Sequence, residues 1–256
     1  MIKNFLLILS GKGGVGKSSI CAELAITLTS LGLRVGVLDA DLCGPSMARI
    51  FDVTKEKIRQ GAKGWEPVIV KNGIKVMSLA FLLPNPDDAV IWRGPKKGAM
   101  LRQFLEQVNW GEELDVLLVD TPPGTSDEHL FLAETLPKDR THSILVTTPQ
   151  IISVQDVERE LLFCRELNIP ILGLIENKRG YECPHCQHCT LLFSAGGGES
   201  LAAKYEIPFL GYLPIVPHVA ELMESSEKSL IEELPKTNLW PQLMQITNQF
   251  SNKFLP

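Results

Sequence analysis

Short, unbroken apolar runs alternate with stretches of helical periodicity along most of this chain. The runs Phe5–Leu9, Val35–Leu38, Lys75–Leu79, Val116–Val119, Ser143–Val146, Ile171–Ile175 and Phe209–Tyr212 mostly lack the in–out alternation of a half-exposed strand. A strand covered by helices on both faces of a parallel sheet has no reason to alternate, so these read as buried parallel strands. Between them, apolar spacings of three and four predict helices over Ser18–Leu31, Pro95–Gln107, Ile152–Leu167 and Glu199–Tyr205. The Gly94–Pro95 pair suits a helix start, because proline tolerates the first helical position. Two segments, at about 52–73 and 178–198, break the rhythm, and there is no internal repeat, low-complexity tract or convincing linker. The expected fold is α/β: a doubly wound, mostly parallel sheet in one domain spanning 1–256.

The stretch from Leu239 to Phe250 carries an apolar helical stripe whose polar face holds Gln242, Gln245, Thr247 and Asn248, with Lys253 beyond it. Membrane-surface helices are rich in lysine and arginine on that face, so this helix is expected to pack on the core.

The first strand runs directly into Gly11-Lys12-Gly13-Gly14-Val15-Gly16-Lys17-Ser18, and the first helix follows. That is the phosphate-binding pattern G-x-x-x-x-G-K-[ST] in its required setting. Glycines let backbone N–H groups turn toward phosphate oxygens, Lys17 can reach the β- and γ-phosphates, and the Ser18 hydroxyl can join a Mg²⁺ shell. The helix dipole points its positive end at the same anion. Reading the N-terminal apolar run as a signal peptide would delete this loop, so it is a strand.

Two strand ends carry carboxylates toward the same place. Asp39 and Asp41 follow the second strand in Asp39-Ala40-Asp41-Leu42-Cys43-Gly44-Pro45-Ser46. Asp120 ends the run Leu117-Leu118-Val119 and opens Asp120-Thr121-Pro122-Pro123-Gly124, the setting of a Walker B carboxylate. Asp120 is expected to hold Mg²⁺ through water, and Gly124 to offer its N–H near the γ-phosphate.

At 256 residues and 45% hydrophobic content, the chain can bury a two-sided core. Its net charge of −5 and pI near 5.6 supply no basic footprint for nucleic acid or anionic lipid, which argues against both as partners. No run approaches the length of a membrane span. A cytoplasmic protein is therefore expected. Cysteines stand at 21, 43, 164, 183, 186 and 189. In a reducing compartment these are thiols, and the clustered ones suggest metal. Cys21, Cys43 and Cys164 read as small buried apolar residues, although Cys43 stands close enough to the Asp41 segment to be redox-sensitive.

The cluster Cys183-Pro184-His185-Cys186-Gln187-His188-Cys189 has the C-x-x-C spacing that turns two thiolates onto one metal centre. Four ligands are needed, and no second pair follows. His185 or His188 could complete a zinc site, though closure within so short a loop is awkward. Two protomers giving Cys183 and Cys186 each would instead supply four thiolates to one bridging cluster. Free structural thiols are the remaining reading.

The second lysine, Lys12, makes the loop resemble the deviant phosphate-loop ATPases of the septum-site, partition, nitrogenase-iron-protein and arsenical-pump group. That resemblance implies an ATP-dependent dimer in which Lys12 reaches the partner's nucleotide. It also implies that Asp41 positions the attacking water, that Asp39 supports the Mg²⁺ region, and that Asn177 contacts the adenine edge.

Longer strings are more specific: residues 11–18, 41–46, 81–97, 119–129, 183–186 and 194–199 together resemble the Mrp/Nbp iron–sulfur carrier ATPases. Within them the chain is most similar to eukaryotic cytosolic assembly scaffolds of the Cfd or nucleotide-binding-protein-2 type. The resemblance implies a [4Fe–4S] cluster assembled at a dimer interface and passed to apo-proteins with weak ATP hydrolysis. A longer sibling in that system carries four further N-terminal cysteines, whereas here the chain starts with the first strand. A homodimer, or a heteromer with that sibling, is expected, and Cys189 lies outside the ligand pair. Two rival readings are an ATP-driven spatial-organising switch and a zinc-stabilised nucleotide switch.

Overall fold

The computed structural model describes residues 1–83, 92–183, 186, 189–191, 196–224 and 228–254. Parts of the strings at 81–97, 183–189 and 194–199 lie outside the described residues, namely 84–91, 184–185 with His185, 187–188 with His188, and 194–195.

The chain starts with β1 (Ile2–Leu9), crosses through α1 (Lys17–Ser30) and returns as β2 (Val35–Asp39), followed by the short α2 (Met47–Ile50). The first irregular segment forms a hairpin of its own, β3 (Arg59–Gly61) with β4 (Gly64–Glu66), and then an antiparallel strand β5 (Val68–Ile69) on the main sheet. Next comes β6 (Lys75–Met77), shorter than its apolar run. Ser78 stops it by accepting the Ala80 N–H at 3.3 Å, which turns Leu79–Phe81 into a 3-10 helix.

Then follow α3 (Gly94–Glu106), β7 (Leu114–Asp120), α4 (Asp127–Thr135), β8 (Thr141–Thr147) and α5 (Ile151–Glu166). The sequence reading overlooked α4, whose nine residues are too few to display a period, although Ser126 and His129 form a capping box at its start. The chain continues with β9 (Ile171–Glu182), β10 (Cys189–Thr190), α6 (Gly197–Lys204), β11 (Phe209–Ile215), α7 (Pro217–Glu224), α8 (Leu230–Glu233) and α9 (Trp240–Ser251).

Strand order is β10-β9-β8-β1-β7-β2-β6-β5, with β11 also on β9. Pairings among β1, β2, β6, β7, β8, β9 and β11 are parallel, while β5 and β10 join antiparallel. The unbroken apolar runs divide between two cores by the two-residue period of a strand. Leu6, Ile8, Val116 and Leu118 face α1, α7 and α9, whereas Phe5, Leu7, Leu9, Leu117 and Val119 face α3, α4 and α5. Each fully buried leucine or isoleucine removes ~1.5–3 kcal/mol worth of apolar surface from water, which requires both faces to be covered.

The expected C-terminal helix packs on the core as α9, burying Leu243, Ile246 and Phe250. It covers the outer side of α1, where the Thr27 and Thr247 hydroxyls bond at 2.8 Å. Helix α1 is therefore enclosed by sheet and helices, with everything from Ile20 to Leu28 buried.

Candidate functional site

The phosphate loop leaves the carboxyl end of β1, where a parallel doubly wound sheet opens its crevice. Gly14 and Gly16 hold φ of 80° and 88°, the left-handed region that glycine enters without a Cβ penalty. Close approach requires glycine twice over. A Cβ on Gly16 would stand 2.3 Å from Asn177 Nδ2, and one on Gly11 would stand 2.1 Å from the Asp156 backbone of α5. Val15 is buried and anchors the loop. The loop from Lys12 to Ser19, with Ser10, Asp41 and Pro123, lines a cavity of about 200 Å³. The free N–H groups at the start of α1 and the Lys17 ammonium make this an anion cradle.

Behind the cradle, sheet register aligns three residues: Ile8 and Asp39 each stand opposite Asp120. The Lys17 ammonium bonds Asp120 Oδ1, both groups being buried. Asp39 Oδ2 accepts the N–H groups of Ser46 and Met47 at 2.9 and 3.0 Å and the Ser78 hydroxyl at 3.1 Å. Those donors favour the anion, yet burial and then the charge of Asp120 push the Asp39 carboxyl up to about 8. Burial also raises Asp120, against the pull of Lys17. Each carboxyl keeps one buried oxygen without a partner, Asp39 Oδ1 and Asp120 Oδ2. Such orphaned hard oxygens beside an anion cradle fit a hydrated divalent cation.

Asp41, half-buried at the cavity, accepts the Gly44 N–H at 3.1 Å. Gly124 donates its N–H to Ser10 O at 2.8 Å, so in this conformation it braces the loop. The N–H expected to face the phosphates is thereby committed elsewhere.

Asn177 lies inside β9, which runs well past the expected end of its strand. Its Nδ2 donates to Val15 O at 2.9 Å, and the neighbouring Lys178, at φ 61°, donates from Nζ to Gly14 O at 2.7 Å. Sequence reasoning missed Lys178. A second cavity, about 100 Å³, adjoins the loop through Ser19 and is lined by Glu23, Asn177 and apolar residues of β11 and α7. Glu23 was missed too, although a glutamate inside the apolar run Ile20–Leu28 was a visible signal.

Cys183 follows β9 directly, and Cys189 opens β10 opposite Glu182. Cys183 is half-buried, while Cys186 and Cys189 are exposed. A Cβ on Gly180 would meet Cys189 Sγ at 2.6 Å, so that glycine lets β10 close on β9. Among the described residues no three metal-ligating side chains converge. Cys21 and Cys164 are buried, and burial pushes the Cys164 thiol up to about 12. Cys43 departs from the expectation of a buried apolar residue: it is exposed, near the Lys97 ammonium.

A strand, glycine loop and helix closed by a buried lysine–aspartate pair define a P-loop nucleoside triphosphatase. The chain belongs to the ParA family of NUBPL iron-transfer P-loop NTPases, whose family model matches residues 1–251. It is 51% identical over 251 residues to the cytosolic Fe-S cluster assembly factor NUBP2 of Gallus gallus, covering 97% of this chain and 92% of the relative. It is 49% identical to the cytosolic Fe-S cluster assembly factor CFD1 of Saccharomyces cerevisiae, covering 96% of this chain and 86% of the relative. A nucleotide-binding protein from Archaeoglobus fulgidus, solved in complex with ADP, matches with TM-score 0.78 and 36% identity over 93% of this chain and 90% of its own. The cell division ATPase MinD of Pyrococcus furiosus matches with TM-score 0.66 over 98% of this chain and 99% of its own, and at 17% identity it supports the fold alone. The α/β expectation and the likeness to iron–sulfur carriers both hold. No helix among the described residues is long and apolar enough to cross a membrane.

Proposed function

We propose that this chain is an ATP-dependent cytosolic scaffold that assembles a [4Fe–4S] cluster between two protomers and passes it to apo-proteins. Family membership and the names of its relatives support the iron–sulfur role. The observation that carries the coupling is β9. At Asn177 and Lys178 this strand grips two carbonyls of the phosphate loop, and five residues beyond Lys178 it delivers Cys183. The path is short and passes through a bulge at Lys178, so a shift of the phosphate loop that moves this bulge also moves the cysteines beyond it.

ATP lies in the cradle with its phosphates on the loop N–H groups and Lys17. Ser18 and, through water, Asp120, with Asp39 behind, would hold Mg²⁺, which when bound would supply positive charge to the phosphates. Asp41 orients the water that attacks the γ-phosphate, and Lys12 of one protomer neutralises the charge that develops in the other. Gly124 leaves Ser10 as the dimer closes. The bridging cluster is cargo, bound by Cys183 and Cys186 of each protomer; partners are a second copy or a longer sibling scaffold, and apo iron–sulfur proteins. Nucleic acid and membrane have no part in this cycle.

The test is cluster transfer to an apo-ferredoxin-type acceptor with Lys12→Ala. ADP binding should persist while ATP-dependent transfer falls at least ~10-fold, by analogy with trans-acting cations in phosphoryl transfer. Normal transfer by the variant would contradict the cross-dimer role.

A further inference from the structure

Glu23 is out of place by its energetics. It lies on α1 one turn beyond Ser19, is 4% exposed, and its Oε2 is buried without a hydrogen-bond partner. Burying a carboxyl with nothing to bond is costly, and an aliphatic side chain would suit the apolar surroundings better. The residue faces the second cavity, whose walls include Leu213, Val216, Val219 and Met223. Two other polar side chains there are occupied, since Asn177 bonds Val15 O and Lys178 bonds Gly14 O. What the cavity offers a ligand is therefore mainly apolar wall with one unmatched carboxyl, and with Ser19 where it adjoins the phosphate cradle.

On the reading that this cavity takes the nucleotide base, we propose that Glu23 is the residue that recognises it, accepting a hydrogen bond from the 6-amino group of adenine. The ligand then supplies the donor that the fold withholds. Burial pushes the Glu23 carboxyl up to about 8, so at neutral pH it also carries a proton that can be donated to a ring nitrogen on the same edge. A carboxylic acid of this kind can bond a 6-keto group as well, so the informative probe is a purine with no 6-substituent.

The experiment is calorimetric titration of the full chain with ADP and with purine riboside 5′-diphosphate. Wild type should prefer ADP about tenfold, the size of one hydrogen bond whose loss leaves a buried acceptor unmatched. Glu23→Leu should bring the ratio near one, while Glu23→Gln, which keeps an acceptor, should retain the preference. The nucleotide-free Glu23→Leu protein should unfold at or above the wild-type midpoint, which separates lost recognition from lost folding. An unchanged ratio in Glu23→Leu would overturn the assignment. Ala220→Phe, at the cavity, tests the underlying reading: it should weaken ADP but leave inorganic pyrophosphate binding intact. If ADP binds Ala220→Phe as well as wild type, the base lies elsewhere. If Ala220→Phe weakens ADP while Glu23→Leu keeps the ratio, the base is there and Glu23 does not read it.

Discussion

Replacing Glu23 with glutamine should make the nucleotide-free protein progressively more stable than wild type as pH rises. The carboxyl of Glu23 has an ordinary value of 4.5 and is pushed up to about 8 by burial in the native state. Between those values the folded chain holds a proton that the unfolded chain releases. Stability is therefore lost as pH rises toward 8, at ~1.4 kcal/mol per pH unit. From pH 5 to 7.5 this single group should cost ~3 kcal/mol, and glutamine, which does not titrate, avoids it. Asp39 and Asp120 are also raised, but both proteins contain them, so their contribution cancels in the difference. Urea denaturation of both proteins at pH 5 and at pH 7.5, at equal ionic strength, reads the effect directly. The gap should be within ~1 kcal/mol at the lower pH and should widen by ~3 kcal/mol at the higher. A gap independent of pH would mean that Glu23 is ionised in the native state, and the argument from its burial would fail.

Three further outcomes follow from the cradle. Lys17→Ala strips the buried Asp120 of its charged partner and should lower stability by ~3 kcal/mol while abolishing ADP binding, measured by denaturation and calorimetry. Lys12→Ala removes a half-buried lysine and should change stability by less than ~0.5 kcal/mol in the same denaturation assay. Gly16→Ala forces a Cβ into the left-handed region and against Asn177, so it should cost ~1–2 kcal/mol and weaken ADP at least ~10-fold by calorimetry.

Much of this molecule is legible because its signals are local. A phosphate loop needs particular residues at fixed spacing, and a strand buried on both faces leaves an apolar run. Hence β1, β2, β7 and β8 emerge within a few residues of their bounds. The hidden parts depend on distant partners. Strand β9 reads as ending at Ile175 because its continuation, Glu176-Asn177-Lys178-Arg179, is polar. Those side chains are satisfied by α6 and the phosphate loop, Glu176 accepting the Gly198 N–H at 2.7 Å. No periodicity records such a bond across the fold. Glu23 is a related case: the apolar run around it marks it as odd, but nothing local says what it faces. Its burial comes from α9 packed over α1 and from α7, which walls the cavity beside it.

The central claim is that two protomers share one cluster through Cys183 and Cys186. Anaerobic reconstitution of the purified chain with iron and sulfide, followed by iron and sulfide counts and a visible spectrum, tests it most directly. The account predicts about two irons per protomer with four-iron cluster absorption, lost in Cys183→Ala while ADP still binds. Zinc as the bound metal, or iron retained by Cys183→Ala, would contradict it.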